Sequence, residues 1–173
     1  MDEIKEGLKL LAKYQVNCVI VGGVAAWANG SSQATFDVDV CYARDAQNLA
    51  RVIRALVSVN ATLRGAPKDI PFILDDETLH RGLNFTFETD VGDIDLIGEV
   101  RGVGTYNDCL DHSVEFELFG HSFRVIALER LIAAKRAAGR TKDLLALPEL
   151  EAILEYHNRT KVNTLDTDEK NSD

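Results

Sequence analysis

Residues 36–42, Phe-Asp-Val-Asp-Val-Cys-Tyr, alternate apolar and acidic side chains with a period of two. That period belongs to a β-strand with one buried face. Phe36, Val38 and Val40 are therefore expected on the core side, and Asp37 and Asp39 together on the other. The two carboxylates would stand roughly 7 Å apart along the backbone. Like charges so placed repel, and beside a buried strand they gain nothing unless a cation lies between them. Asp93-Ile94-Asp95-Leu96 repeats the device, with Asp93 and Asp95 on one face and Ile94 and Leu96 on the other. Two Mg²⁺ ions about 3.5 to 4 Å apart, bridged by such acids, would stabilise the attacking and leaving oxygens of an in-line phosphoryl displacement. Oxygen-only ligands favour Mg²⁺ or Mn²⁺ over zinc.

Around these strands the chain reads as a mixed α/β (α+β) protein. From Asp2 to Gln15 the apolar residues Ile4, Leu8 and Leu11 follow helical spacing, with Lys5, Lys9 and Lys13 on another face. Cys18 to Val21 is a short apolar run ending in Gly22-Gly23, a buried strand that breaks into a turn. A short helix over Val24 to Ala28 should follow. Leu49, Val52, Ile53 and Leu56 mark a further helix, and Gly65 to Asp76, with Pro67 and Pro71, reads as a connecting loop. Leu83, Phe85 and Phe87 alternate up to Asp90-Val91-Gly92 and pair with 93–97 as a hairpin. Val114, Phe116 and Leu118, the turn at Gly120, then Phe123 and Val125 form a second hairpin. The last elements should be short helices. One from Leu128 stops near Gly139, Thr141 caps the next, and Pro148 kinks or splits it.

The 173 residues, 46% of them hydrophobic, suffice for one sizeable core. A single domain over 1–157 is expected, followed by a polar, disordered tail over 158–173. The net charge of -9 argues against the broad basic surface of a sequence-independent nucleic-acid binder. Cys18, Cys41 and Cys109 form no CxxC pair, which fits a reducing cytoplasm, and Cys18 and Cys41 read as core residues. With no basic leader and no apolar run of membrane-spanning length, the protein should be soluble, unprocessed and cytoplasmic, with no membrane partner.

Gly22-Gly23 sits between a strand and a short helix, where bare N–H groups can meet a triphosphate, although a Gly-Gly pair alone is often only a turn. Lys135, Arg140, Lys142 and Asp143 form a local basic group inside an acidic protein, as phosphate contacts or as ordinary surface charges at a helix junction. His80, His112, His121 and His157 lack zinc-ligand spacing, and Trp27 reads as core packing.

Val21-Gly22-Gly23, Gly30-Ser31-Ser32 and Thr35-Phe36-Asp37-Val38-Asp39-Val40 together resemble the signature of the nucleotidyltransferase superfamily with the DNA polymerase β-like fold. Gly92-Asp93-Ile94-Asp95-Leu96 is similar to its third-carboxylate strand. The resemblance spans roughly Val19 to Leu147, and in particular the chain is similar to small bacterial minimal nucleotidyltransferases, some of them toxin–antitoxin or abortive-infection components.

It implies a mixed sheet flanked by helices and an enzyme that moves a nucleoside monophosphate from an NTP, releasing pyrophosphate. The acceptor is open: a tRNA or other RNA end, a protein or a small molecule. By the resemblance Asp37, Asp39 and Asp95 are the catalytic, metal-binding acids, Gly22 and Gly23 the phosphate-contacting turn, and Lys135 and Lys142 nucleotide contacts. Asp93 is a neighbour of the site or a solvated hairpin residue. A cognate antitoxin is an implied partner. Relatives usually carry an arginine four residues before the first acid, where this chain has Gln33; Arg81 or Arg140 would compensate, or activity would be altered. The alternative reading is an NTP-binding module that has lost turnover and acts through a partner.

Overall fold

A computed structural model describes residues 1–67 and 72–170, the last ten as backbone alone. The elements in chain order are α1 (Asp2–Lys13), β1 (Cys18–Ile20), α2 (Gly22–Ala28), β2 (Asp37–Tyr42), α3 (Ala46–Val57) and β3 (Thr62–Leu63). Then come α4 (Asp76–Arg81), β4 (Asn84–Glu88), β5 (Asp93–Ile97), β6 (Glu99–Val100), β7 (Gly104–Thr105) and α5 (Tyr106–Asp111). β8 (Ser113–Leu118), β9 (His121–Ile126), α6 (Leu128–Ala138) and α7 (Thr141–Lys170) complete the chain. Among the described residues, seven strands form one mixed sheet in the order β3-β4-β5-β2-β1-β9-β8, while β6 and β7 pair separately.

Alternation in β2 and β5 does the work expected of it. The two strands pair in parallel with Asp37 opposite Asp93, Asp39 opposite Asp95 and Val38 opposite Ile94. Val38, Val40, Ile94 and Leu96 are all buried. Helix α1 closes this face: Gly7 comes so near that a Cβ there would lie 3.1 Å from Val38 Cγ2. Each fully buried aliphatic side chain of this layer contributes roughly 1.5–3 kcal/mol. The opposite face carries the acids and is closed by α2 and α6.

Local signals set the helix ends. Asp45 caps α3 by accepting from Asn48 N at 3.0 Å, and Gly139 ends α6 at φ 65°, a left-handed conformation that suits glycine. Both hairpins form, β4 against β5 and β8 against β9. The loop expected over 65–76 lies partly on 68–71, outside the described residues, and ends where Asp75 caps α4.

Four details differ from the sequence reading. Phe36 is 77% exposed, not in the core. Pairing of β2 starts at Asp37, so nothing holds the preceding residue to the strand's alternation. Pro148 does not split α7: one missing N–H leaves the flanking turns bonded, and Thr141 is the helix's first residue. The α7 backbone also continues through 158–170, where composition points to a tail, starting with an Arg159–Glu155 ion pair one turn apart. Residues 171–173 lie outside the described residues. No described helix is long and apolar enough to cross a membrane.

Candidate active site

Parallel register places Asp39 and Asp95 side by side, with Asp37 one strand step away on the same face. One oxygen from each of Asp37, Asp39 and Asp95 lies within 4.8 Å of the others. Three half-buried carboxylates with oxygen donors only make a set that fits a hard divalent cation such as Mg²⁺ or Mn²⁺. The electrostatic cost of the cluster is visible in Asp39. Burial first, then the charges of Asp37 and Asp95, push its carboxyl from 3.8 up to about 6, against a hydrogen bond from Gly23 N–H and the charge of Lys142. Burial likewise raises Asp95, opposed by Arg64.

Helix α2 starts directly above this cluster. Gly22 adopts φ +59°, and a Cβ on it would meet Asp39 Oδ2 at 1.9 Å, so the turn presses on the acid closely enough to exclude any side chain. A Cβ on Gly23 would lie 2.1 Å from Thr35 Oγ1, whose hydroxyl donates to Asp37 Oδ1 at 3.1 Å. The loop between α2 and β2 is tied to α7 by Glu149, which accepts from Ser31 Oγ at 2.7 Å and from Ser32 N and Oγ at 2.8 and 2.7 Å.

From the other side, α6 and the start of α7 bring the basic group. The sequence presents Lys135, Arg140, Lys142 and Asp143 as a basic patch, but the structure organises it around the acid. Asp143 is only 2% exposed and binds Lys135 Nζ at 3.3 Å and Arg140 Nε at 2.6 Å. Burial works to raise its pKa, yet the two cations outweigh that and hold it below the usual carboxylate range. Lys142 is exposed and forms no ion pair among the described residues.

Two cavities meet at Asp39. One of about 310 Å³ runs over Gly22, Gly23, Gln33, Asp37 and Lys142. The other, of about 330 Å³, has apolar walls from Ile97, Val100, Ile126 and Leu131. Gly22, Asp39, Lys135, Arg140 and Asp143 line both. The residues singled out from sequence thus come together: Gly22, Gly23, Asp37, Asp39, Lys135 and Lys142 on one cavity, with Asp95 in the carboxylate triad.

Gln33 lines that cavity too, and so does Arg140, whereas Arg81 pairs with Glu77 on its own helix. Phe36 stands at the rim. Trp27 stacks on Phe119, with centroids 5.9 Å apart, and Cys18, Cys41 and Cys109 are all buried free thiols. No described histidine belongs to a metal-ligating cluster. Sequence reading missed Arg64 entirely. Its Nη1 donates to Asp93 Oδ2 at 2.6 Å and its Nη2 to both oxygens of Asp95, at 2.9 and 3.0 Å. Asp93 therefore stands beside the triad, held by this arginine. No local pattern marks Arg64, because only the pairing of β3 with β4 carries it across to β5.

No protein-family model matches the chain, and no curated protein matches its sequence. Solved structures do share its fold. The lincosamide antibiotic adenylyltransferase LnuA, in a lincomycin-bound crystal structure, aligns with a TM-score of 0.56 and 17% identity over 87% of this chain and 96% of its own. The antibiotic-resistance factor ANT(2'')-Ia aligns with a TM-score of 0.53 and 13% identity over 99% of this chain and 100% of its own. The protein has the nucleotidyltransferase fold.

Proposed function

We propose that the protein is a metal-dependent nucleotidyltransferase, a single domain whose last helix continues past 157 to Lys170, that moves a nucleoside monophosphate from an NTP to an acceptor and releases pyrophosphate. The convergence of Asp37, Asp39 and Asp95 oxygens within 4.8 Å, under a glycine turn and beside free cationic charge, carries the reading. A divalent ion on these acids would supply Lewis-acid stabilisation of the charge that builds on the transferring phosphoryl group. The chain's own residues do the positioning. Gly22 and Gly23 let the start of α2 press against Asp39 and Thr35, so that its backbone lines the cavity where phosphate oxygens would lie, and Lys142 offers countercharge along the same cavity, with Lys135 and Arg140 also lining it. Asp95, partly buried and paired with Arg64, would take up the proton of an attacking hydroxyl. No covalent nucleophile is required.

A small molecule is the favoured acceptor. LnuA is a lincosamide antibiotic adenylyltransferase and ANT(2'')-Ia an antibiotic-resistance factor, and the net charge of -9 weighs against a long RNA. Three buried, unpaired cysteines suit a reducing cytoplasm. The deciding experiment follows label from each of four α-³²P NTPs, with Mg²⁺ or Mn²⁺, into small molecules, total RNA and total protein, beside an Asp37→Ala/Asp39→Ala control. Label in one fraction that vanishes in the control establishes nucleotide and acceptor class together. Magnesium-dependent NTP binding with no transfer anywhere would sink the enzyme reading in favour of a binding module.

Lys142→Ala gives a second expectation. Losing one charge-assisted phosphate contact should raise the KM for NTP about tenfold with kcat changed less. Lys135→Ala should raise KM as well but also destabilise the fold, because it strips a partner from the buried Asp143. An unchanged KM for both removes this helix junction from the nucleotide site.

A further inference from the structure

We propose that Arg64 is a positioning residue that serves as the internal cation of the third carboxylate, occupying Asp95 until a divalent ion displaces it. The inference rests on the metal-dependent reading above. Arg64 follows β3, and its N–H donates to Thr86 O on β4 at 2.9 Å. Thr86 is the cross-strand neighbour of Asp95, so backbone pairing delivers the guanidinium onto β5. There one nitrogen engages both Asp95 oxygens and the other engages Asp93.

Charge explains why the contact forms. Asp37, Asp39, Asp93 and Asp95 crowd one sheet face, and the nearby Lys135 and Arg140 are committed to Asp143. Arg64 is the cation that relieves the β5 side of the cluster. Yet an ion shared with Asp37 and Asp39 needs an oxygen of Asp95, and both are already bonded. The two partners differ in freedom: the Arg64 side chain is 35% exposed and that of Asp95 15%. The arginine has solvent to move into, and the acid is fixed by its strand. Cation binding therefore competes with an ion pair that the fold provides, and the threshold for metal occupancy is set by Arg64.

The test measures Mn²⁺ binding to the full chain without nucleotide, by the loss of the free-ion electron paramagnetic resonance signal. Arg64→Gln should tighten binding about fivefold, the scale of a partly exposed ion pair. Arg64→Lys should fall between, since an ammonium cannot fork to two acids. Arg81→Gln, which removes the same charge from a remote exposed helix, corrects for net charge, and melting curves check folding. Damage to a merely structural contact would loosen Mn²⁺, not tighten it. If Arg64→Gln binds Mn²⁺ no tighter than Arg81→Gln while Asp39→Asn abolishes binding, this inference falls alone. If Asp39→Asn binds as well as the unaltered chain, or neither binds at all, the metal-site reading falls with it.

Discussion

Asp39→Asn is expected to raise the melting temperature of the metal-free protein at neutral pH while lowering nucleotidyl transfer by about a thousandfold or more, on the scale of losing groups that stabilise transition-state charge. In the unfolded chain the Asp39 carboxyl has its ordinary value of 3.8, and in the fold it is pushed to about 6, mainly by burial and then by Asp37 and Asp95. Between those values the folded state keeps a proton that the unfolded state has lost, so stability falls as pH rises through that window. Below 3.8 the penalty is absent, and above about 6 it is complete. The shift corresponds to on the order of 2–3 kcal/mol at neutral pH. An amide carries no charge and escapes it, so the variant should melt about 5 °C higher at neutral pH. The gain should vanish near the ordinary carboxylate value. Mg²⁺ should raise the melting temperature of the unaltered chain and leave the variant alone. A variant that melts lower at neutral pH would mean that Asp39 is not strained by its neighbours, and retained transfer would remove it from the chemistry.

The pattern that crowds these acids together is legible in the sequence. Alternation in 36–42 and 93–97 is a local signal, and it located both acid pairs and their common face, because a two-residue period leaves a strand no other way to bury Val38, Val40, Ile94 and Leu96. The end of β1 is legible differently, from an apolar run that stops at Gly22-Gly23, although both glycines open α2 instead of forming a turn ahead of it. Features set by distant partners were not. Phe36 continues the pattern in sequence but lies beyond the last paired residue, so it turns out to solvent. Short elements such as α4, α5 and the β6–β7 pair lack enough periods to announce themselves.

The basic group around Lys135 to Asp143 is visible in sequence as three cations and one acid, but only burial shows Asp143 to be its centre, with Lys142 the one of the three cations that has no ion pair among the described residues. Arg64 is the extreme case. Twenty-nine and thirty-one residues separate it from Asp93 and Asp95, and only the register of two strand pairs brings them together.

Gly22→Ala should be the most damaging single methyl in the protein. Two costs arise together. The φ of +59° is left-handed, which costs a residue with a Cβ roughly 1–2 kcal/mol. The new methyl would also lie 1.9 Å from Asp39 Oδ2, 2.5 Å from its Cγ and 2.8 Å from its Cβ. Such contacts cannot be relieved by a side-chain tip alone, because Asp39 is short and its Cβ belongs to a central strand. Either Asp39 turns away and leaves the carboxylate triad, or the start of α2 lifts and takes the Gly23 N–H off the acid. Both routes spoil the site, so transfer should fall at least about a hundredfold, the scale of losing one preorganised donor or ligand, with Mn²⁺ binding weakened in parallel. Gly30→Ala separates the two costs: Gly30 has φ +102°, but a Cβ there would meet nothing within 4 Å. It should lose some stability and keep transfer nearly intact. Equal loss of transfer in both variants would mean that backbone strain alone is responsible, and that the close approach of the glycine turn to Asp39 has no part in holding the acid in place.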